Sequence, residues 1–308
     1  MGDGHDHGSA AVARHAGAAY TRRLAIALAL VGTFFVVELV GGLMTNSLAL
    51  LSDAGHMFTD VVGIGMALAA IQVAGGSRQD PQRSFGLYRL EILAALANAL
   101  LLAAVAVYIV WESVQRLLDP PEVLAGPVLV VGAVGLLVNV VAFRLLRPGA
   151  RESVNVEGAY LEVLADLLAS VGVVISALVS LATGFRRADP LFALAIGFFV
   201  LPRAWRLGRK ALRILLQSAP SHLDMDAVRD ELLDLGGVAS VHDLHVWTLT
   251  SGMEVASVHL RLVPDAGGHE VLDAARRLLR DRHGIEHATV QIEPADHADC
   301  ADCERTTW

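Results

Sequence analysis

Residues 48–73 read LALLSDAGHMFTDVVGIGMALAAIQV. A bilayer crossing needs about 20 apolar residues, and this run has the length, yet Asp53, His56 and Asp60 sit inside it. A charged side chain at the centre of a span costs about 2.5–3.5 kcal/mol on insertion scales, so each of the three calls for a reason. His56 and Asp60 are four residues apart, which stacks them on one helix face. The same spacing recurs at Glu162 and Asp166, inside a second apolar run from about Gly158 to Ala182. Two such pairs on two helices offer one imidazole and three carboxylates, a set that can close a tetrahedral site on a divalent first-row metal. Three clustered carboxylates do not all ionise without a counterion, and no Arg or Lys stands at the centre of a span to supply one. Something positive must come and go, a metal or protons. The bland alternative, polar groups that only bond helices together, suits one pair better than two matching ones. Asp53, one turn before His56, lines the approach to the site or caps and hydrogen-bonds. Glu38, Glu91, Asn98, Glu112 and Asn139 read as structural.

Outward from this stretch the whole chain has a membrane texture. It is 308 residues long, 54% hydrophobic and 18% charged, where soluble chains carry roughly a quarter charged residues. Apolar runs at Leu24–Met44, Leu48–Val73, Leu90–Trp111, Val123–Leu146, Gly158–Ala182 and Leu191–Trp205 give six expected spans, the sixth barely long enough. Pro120-Pro121 and Arg147-Pro148-Gly149 punctuate the gaps. Arg14, Arg22, Arg23, Arg78, Arg83, Arg89, Arg144, Arg147, Arg151, Arg203, Arg206, Arg209, Lys210 and Arg213 fall on one side, against Arg116, Arg186 and Arg187 on the other. The basic side faces the cytoplasm, so both termini are expected there. A net charge of −8 with dispersed basic residues argues against a nucleic-acid partner. No span contains a His-Glu-x-x-His, and His269-Glu270 lacks the second histidine, so nothing points to an intramembrane metalloprotease or another enzyme.

Beyond about Ile214 the pattern changes. Helical periodicity over Asp226–Leu235, alternation over Val238–Leu249 and Met253–Val263, a helix over Glu270–Arg282 and a short strand Ala288–Glu293 give the order αββαβ. That order suggests a small layer of helices on one sheet. The expected division is a His-containing arm at 1–20, a transmembrane domain at 21–213, a soluble domain at 214–294 and a polar tail at 295–308. Eight of the twelve histidines lie in the last two parts. His259 shares the polar face of its strand with Ser257 and Arg261, and His287 and Glu293 share parity on theirs. His242 and His245 fall on opposite faces of an unbroken strand, so at most one can join them. Cys300-Ala301-Asp302-Cys303 supplies half a zinc site at most and would need such partners.

The stretch Asn46-Ser47-Leu48 through His56 to Asp60 resembles the second-span signature of the cation diffusion facilitator family. Tyr88-Arg89-Leu90-Glu91 resembles its third span, and Asn155-Val156-Glu157 through Asp166, then Ser170-Val171-Gly172, its fifth. The likeness continues through Asp243-Leu244-His245-Val246-Trp247 and His287–Glu293, and its nearest type is the bacterial zinc/cobalt/cadmium exporters. It implies a homodimeric metal–proton antiporter of the plasma membrane, an all-α six-helix transmembrane bundle with a cytoplasmic ferredoxin-like α+β domain that dimerises. Carried over by position, the transport ligands are His56, Asp60, Glu162 and Asp166, with zinc as the expected cargo. Glu162 departs from the pattern, which has histidine there. The resemblance also implies metal on the cytoplasmic domain near His242, His245, His259, His287 and Glu293, and for some members at a terminal Cys-x-x-Cys such as Cys300 and Cys303. A membrane-bound metal sensor without transport is the competing reading.

Overall fold

The computed structural model describes residues 29, 32–76, 85–147 and 154–296, with the backbone alone described at 64, 67–76, 145–146 and 154–162. Among the described residues, six helices come first. They are α1 (Gly32–Thr45), α2 (Leu48–Gly76), α3 (Arg89–Leu118), α4 (Ala125–Leu146), α5 (Val154–Thr183) and α6 (Ala188–Leu215). Among the described residues, four stretches are long and apolar enough to cross a membrane: Arg89–Leu118, Ala125–Arg144, Val163–Thr183 and Ala188–Leu215.

The chain divides into two compact units: residues up to Gly65 with Asn98–Arg206, and Met66–Ala97 with residues from Leu207 onward. The first unit is built round a core of Leu48, Leu50, Leu102, Ile109, Val128, Val173 and Val200, with Ala49, Ala106, Ala177, Ala193 and Ala204 filling the close approaches. Small residues let helix backbones come near one another where lipid gives no hydrophobic drive. A Cβ at Gly55 of α2 would lie 2.9 Å from Val105 of α3, and one at Gly197 of α6 2.9 Å from Val110. The outward faces stay apolar: Leu43, Leu100, Val130, Leu137, Phe198 and Trp205 are all exposed. A soluble surface would not hold that many large apolar groups; a bilayer accommodates them.

Two helix ends have identifiable stops. Asn46, at φ +58°, makes the tight turn between α1 and α2. The first turn of α2 is then capped from a distant element: Asp189, in the first turn of α6, accepts hydrogen bonds from Ser47 Oγ and from the Leu48 amide at 2.7 Å. A carboxylate at a helix N-terminus satisfies orphan amides and complements the helix dipole. α3 runs seven residues past its expected end at Trp111, carried by the Glu112–Arg116 pair at 2.8 Å, and stops before Pro120. α6 passes through Pro202 and runs on past Trp205 in a basic, amphipathic last stretch to Leu215.

In the second unit, α7 (Met225–Leu233), β1 (Val238–Thr250), β2 (Met253–Leu262), α8 (Gly268–His283) and β3 (His287–Glu293) follow the expected αββαβ order. The sheet order is β1-β2-β3, antiparallel for β1–β2 and parallel for β2–β3. Asp224 caps α7 through the Asp226 and Ala227 amides, and Gly284 ends α8 in the left-handed conformation at φ +71°. Val271, Ala275 and Leu279 of α8 and Val228 and Leu232 of α7 pack on Val241, Val246, Ala256, Val258 and Leu260 of the sheet. Its other face carries Ser257, His259 and Arg261.

Candidate transport site and cytoplasmic metal cluster

The i,i+4 spacing on α2 does what helix geometry requires: His56 Nε2 lies 3.7 Å from Asp60 Oδ2. The same nitrogen lies 3.5 Å from Asp166 Oδ1 on α5. His56 and Asp166 are buried, and Asp60 is partly so. Metal bonds of about 2.0–2.1 Å at tetrahedral angles separate ligand atoms by roughly 3.4 Å, so the spacing of these three donors fits one small cation. Glu162 lies on α5 one turn before Asp166; its side chain falls outside the described ones. Asp53 is buried and accepts a hydrogen bond from Ser170 Oγ at 3.2 Å. Asn139 Nδ2 donates to the same Ser170 Oγ at 3.0 Å. Asp53 is thus a member of a polar network across α2, α4 and α5. Glu38 of α1 is fully buried beside it.

One element of the site overturns an expectation. Counted by sequence position, Arg203 is one of the charges at the cytoplasmic edge, which leaves the carboxylates without a basic residue. Arg203 of α6 instead reaches inward: its Nη1 lies 2.9 Å from His56 Nε2 and its Nη2 3.8 Å from Asp60 Oδ1. A long side chain spans the distance from helix edge to site that counting by sequence position overlooks.

On the sheet, His242 and His259 are direct cross-strand partners, with ring centroids 5.2 Å apart. Glu293 of β3 lies between them, 3.2 Å from His242 Nε2 and 3.0 Å from His259 Nδ1. A buried carboxylate (6% exposed) with two imidazoles is a fitting donor set for zinc. His245 and His287 stand apart from it. An unbroken strand would place His245 on the face opposite His242, but Asp243 adopts φ +49° and the pairing slips by one residue, a β-bulge. His245 therefore pairs with Ser257 on the same face as His259, one step along, and is exposed. His287 shares parity with Glu293 but opens β3 opposite Val255, six residues or about 20 Å away at strand rise. Cys300, Cys303 and the histidines of the N-terminal arm lie outside the described residues.

The sequence profile of the cation efflux transmembrane domain matches residues 24–216, and that of the cation efflux protein cytoplasmic domain residues 220–295. The metal cation efflux system protein CzcD of Cupriavidus metallidurans is 46% identical over 306 residues, 98% of this chain and 94% of that protein. The zinc transporter ZitB of Escherichia coli is 39% identical over 285 residues, 91% of this chain and 90% of that protein. A Bacillus velezensis protein named a cadmium, cobalt and zinc/H+–K+ antiporter is 34% identical over 300 residues, 96% of this chain and 93% of its own. Among solved structures, the metal-bound C-terminal domain of the CzcD transporter from Cupriavidus metallidurans is 38% identical, covering 23% of this chain and 99% of that one, with a TM-score of 0.23. Matched over both of its parts and nearly its whole length, the chain belongs to the cation efflux family, the cation diffusion facilitators that its second span resembles.

Proposed function

We propose that this protein exports divalent metal, zinc foremost with cadmium and cobalt as further cargo, from the cytoplasm in exchange for protons. The observation that carries the reading is the convergence of His56, Asp60 and Asp166 from two apolar helices, with one donor atom of each within 4.8 Å of the others. Relatives named for zinc, and for cadmium, cobalt and zinc, support the choice of cargo. Glu162, one turn below Asp166, is the fourth ligand. All four side chains must be deprotonated to bind metal, so each atom that lets go of the ion is free to take a proton. Exchange follows from the ligand chemistry.

The arrangement in this reading is six spans over 21–213 with both termini in the cytoplasm, in the bacterial plasma membrane. An arm at 1–20 and a tail at 295–308 flank the transport and ferredoxin-like (214–294) domains, and the latter joins two copies into a homodimer. His242, His259 and Glu293 would hold a resident zinc ion there, which would tie β1, β2 and β3 together and report metal load, with Cys300 and Cys303 as proposed further ligands. A membrane metal sensor without transport would need that triad but not His56 and Asp60.

The test is zinc flux into proteoliposomes under an imposed pH gradient. Wild type is expected to move zinc, and Asp60→Ala or Asp166→Ala to lose flux by at least about a hundredfold while staying folded, as loss of a metal ligand implies. Normal flux in Asp60→Ala rejects the site; no flux in the wild type favours the sensor.

A further inference from the structure

Arg203 is more than a neighbour of the site. A guanidinium carries five N–H donors and no acceptor, and it keeps its charge in proteins. Its Nη1 lies 2.9 Å from His56 Nε2, so that nitrogen must be the acceptor and the ring proton must sit on Nδ1. Nδ1 is buried and has no hydrogen-bond partner among the described residues. The imidazole is thereby held neutral, with its Nε2 lone pair turned toward Asp60 and Asp166, which is also the form and the nitrogen a metal would take. One lone pair serves one partner. Nη2 meanwhile lies 3.8 Å from Asp60 Oδ1, so the guanidinium addresses two of the ligands at once. Its side chain is 28% exposed, which gives it somewhere to go when it leaves.

We infer that Arg203 is a tethered cation that competes with the cargo for His56 and Asp60, and so decides which metals can load. This rests on the transport-site reading above. To bind, an ion must take the imidazole nitrogen from a charged donor. Zn²⁺, Co²⁺ and Cd²⁺ prize that nitrogen; Mn²⁺ and Mg²⁺ gain most of their binding from carboxylate oxygens and have less to offer against the guanidinium. A site with three carboxylates would otherwise suit the hard ions well. Arg203 restores discrimination from within, and its return to His56 helps expel the ion on the far side of the cycle.

The experiment is equilibrium binding of Zn²⁺ alone and Mn²⁺ alone to the full chain in nanodiscs, with the metal lost in Asp60→Ala defining the transport site. Arg203→Gln is expected to tighten Zn²⁺ at that site by about fivefold or more and Mn²⁺ by more still, since a nearby like charge is removed. Arg203→Lys keeps the charge without the fork, and should tighten Zn²⁺ about twofold. It carries the test alone if Arg203→Gln does not fold. Zinc affinity that is unchanged or weaker in the folded variants overturns the inference. If Asp60→Ala removes no metal, the transport-site reading itself has failed.

Discussion

At the scale of single residues, Glu162 is where this chain parts from the pattern it resembles. In the proposed ligand set a glutamate in place of histidine would be harder and more anionic, and hard oxygen donors favour Mn²⁺ and Co²⁺ relative to soft Cd²⁺. Glu162→His should stay active and gain preference for Zn²⁺ and Cd²⁺ over Mn²⁺, with its pH profile moved toward the range where imidazole titrates, near 6.5. Competition flux at pH 6, 7 and 8 measures both; an unmoved selectivity and profile would take Glu162 out of the site. His56, Asp60 and Asp166 could be read from the sequence because each pair is local and helix geometry does the rest. Arg203 could not, because its role depends on how far a side chain reaches from a helix that is 147 residues away in sequence.

At the scale of elements, α7 and α8 are fastened to each other at one carboxylate. Glu231 accepts from Arg282 Nη1 at 3.2 Å and His283 Nε2 at 3.1 Å. The Arg282 hydrogen bond, with His283 adding to it, holds its carboxyl below the usual glutamate value. A depressed acid stabilises the folded form where it is ionised. The contribution is therefore full above the ordinary value of 4.5, falls as pH drops past it and is gone below the depressed folded value. Glu231→Gln should speed hydrogen exchange in α7 and α8 at pH 7, and the difference from wild type should vanish in strong acid; a difference that persists there would mean packing is responsible. The elements of this domain were legible because its apolar positions alternate on strands and recur every four residues on α8. The bulge at Asp243 was not: nothing in the local pattern tells that one residue leaves the ladder, and that single slip moves His245 to the other face.

At the scale of the molecule, each part has its own core, Leu48 to Ala204 for one unit and Val228 to Ile285 for the other. Removal of residues 216–308 should accordingly leave residual metal–proton exchange with weaker dimerisation and a lower rate. Flux and sedimentation of the truncated chain check this; full loss of exchange would make the soluble domain part of the transport step. The change from apolar to polar texture beyond about Ile214 is plain from composition alone. The length of the sixth helix is not, because Arg206, Arg209, Lys210 and Arg213 end an apolar run without ending the helix, which continues with its charges on one side.

The cap that Asp189 places on α2 also makes a lever of two helices. Among the described hydrogen bonds, α6 meets α2 through Asp189 at the first turn of α2 and through Arg203 at His56, two turns further along it. If cargo displaces Arg203 as proposed, the first contact is a buried anchor and the second a contact that breaks, so the pair would swing apart at the load while staying pivoted at the cap. Weakening the pivot should then be felt at the load. Asp189→Asn, which touches no ligand, is expected to slow zinc flux severalfold without reducing the amount of folded protein, since one charged acceptor at the helix terminus is lost. Flux equal to wild type would mean that the anchor is only a clamp.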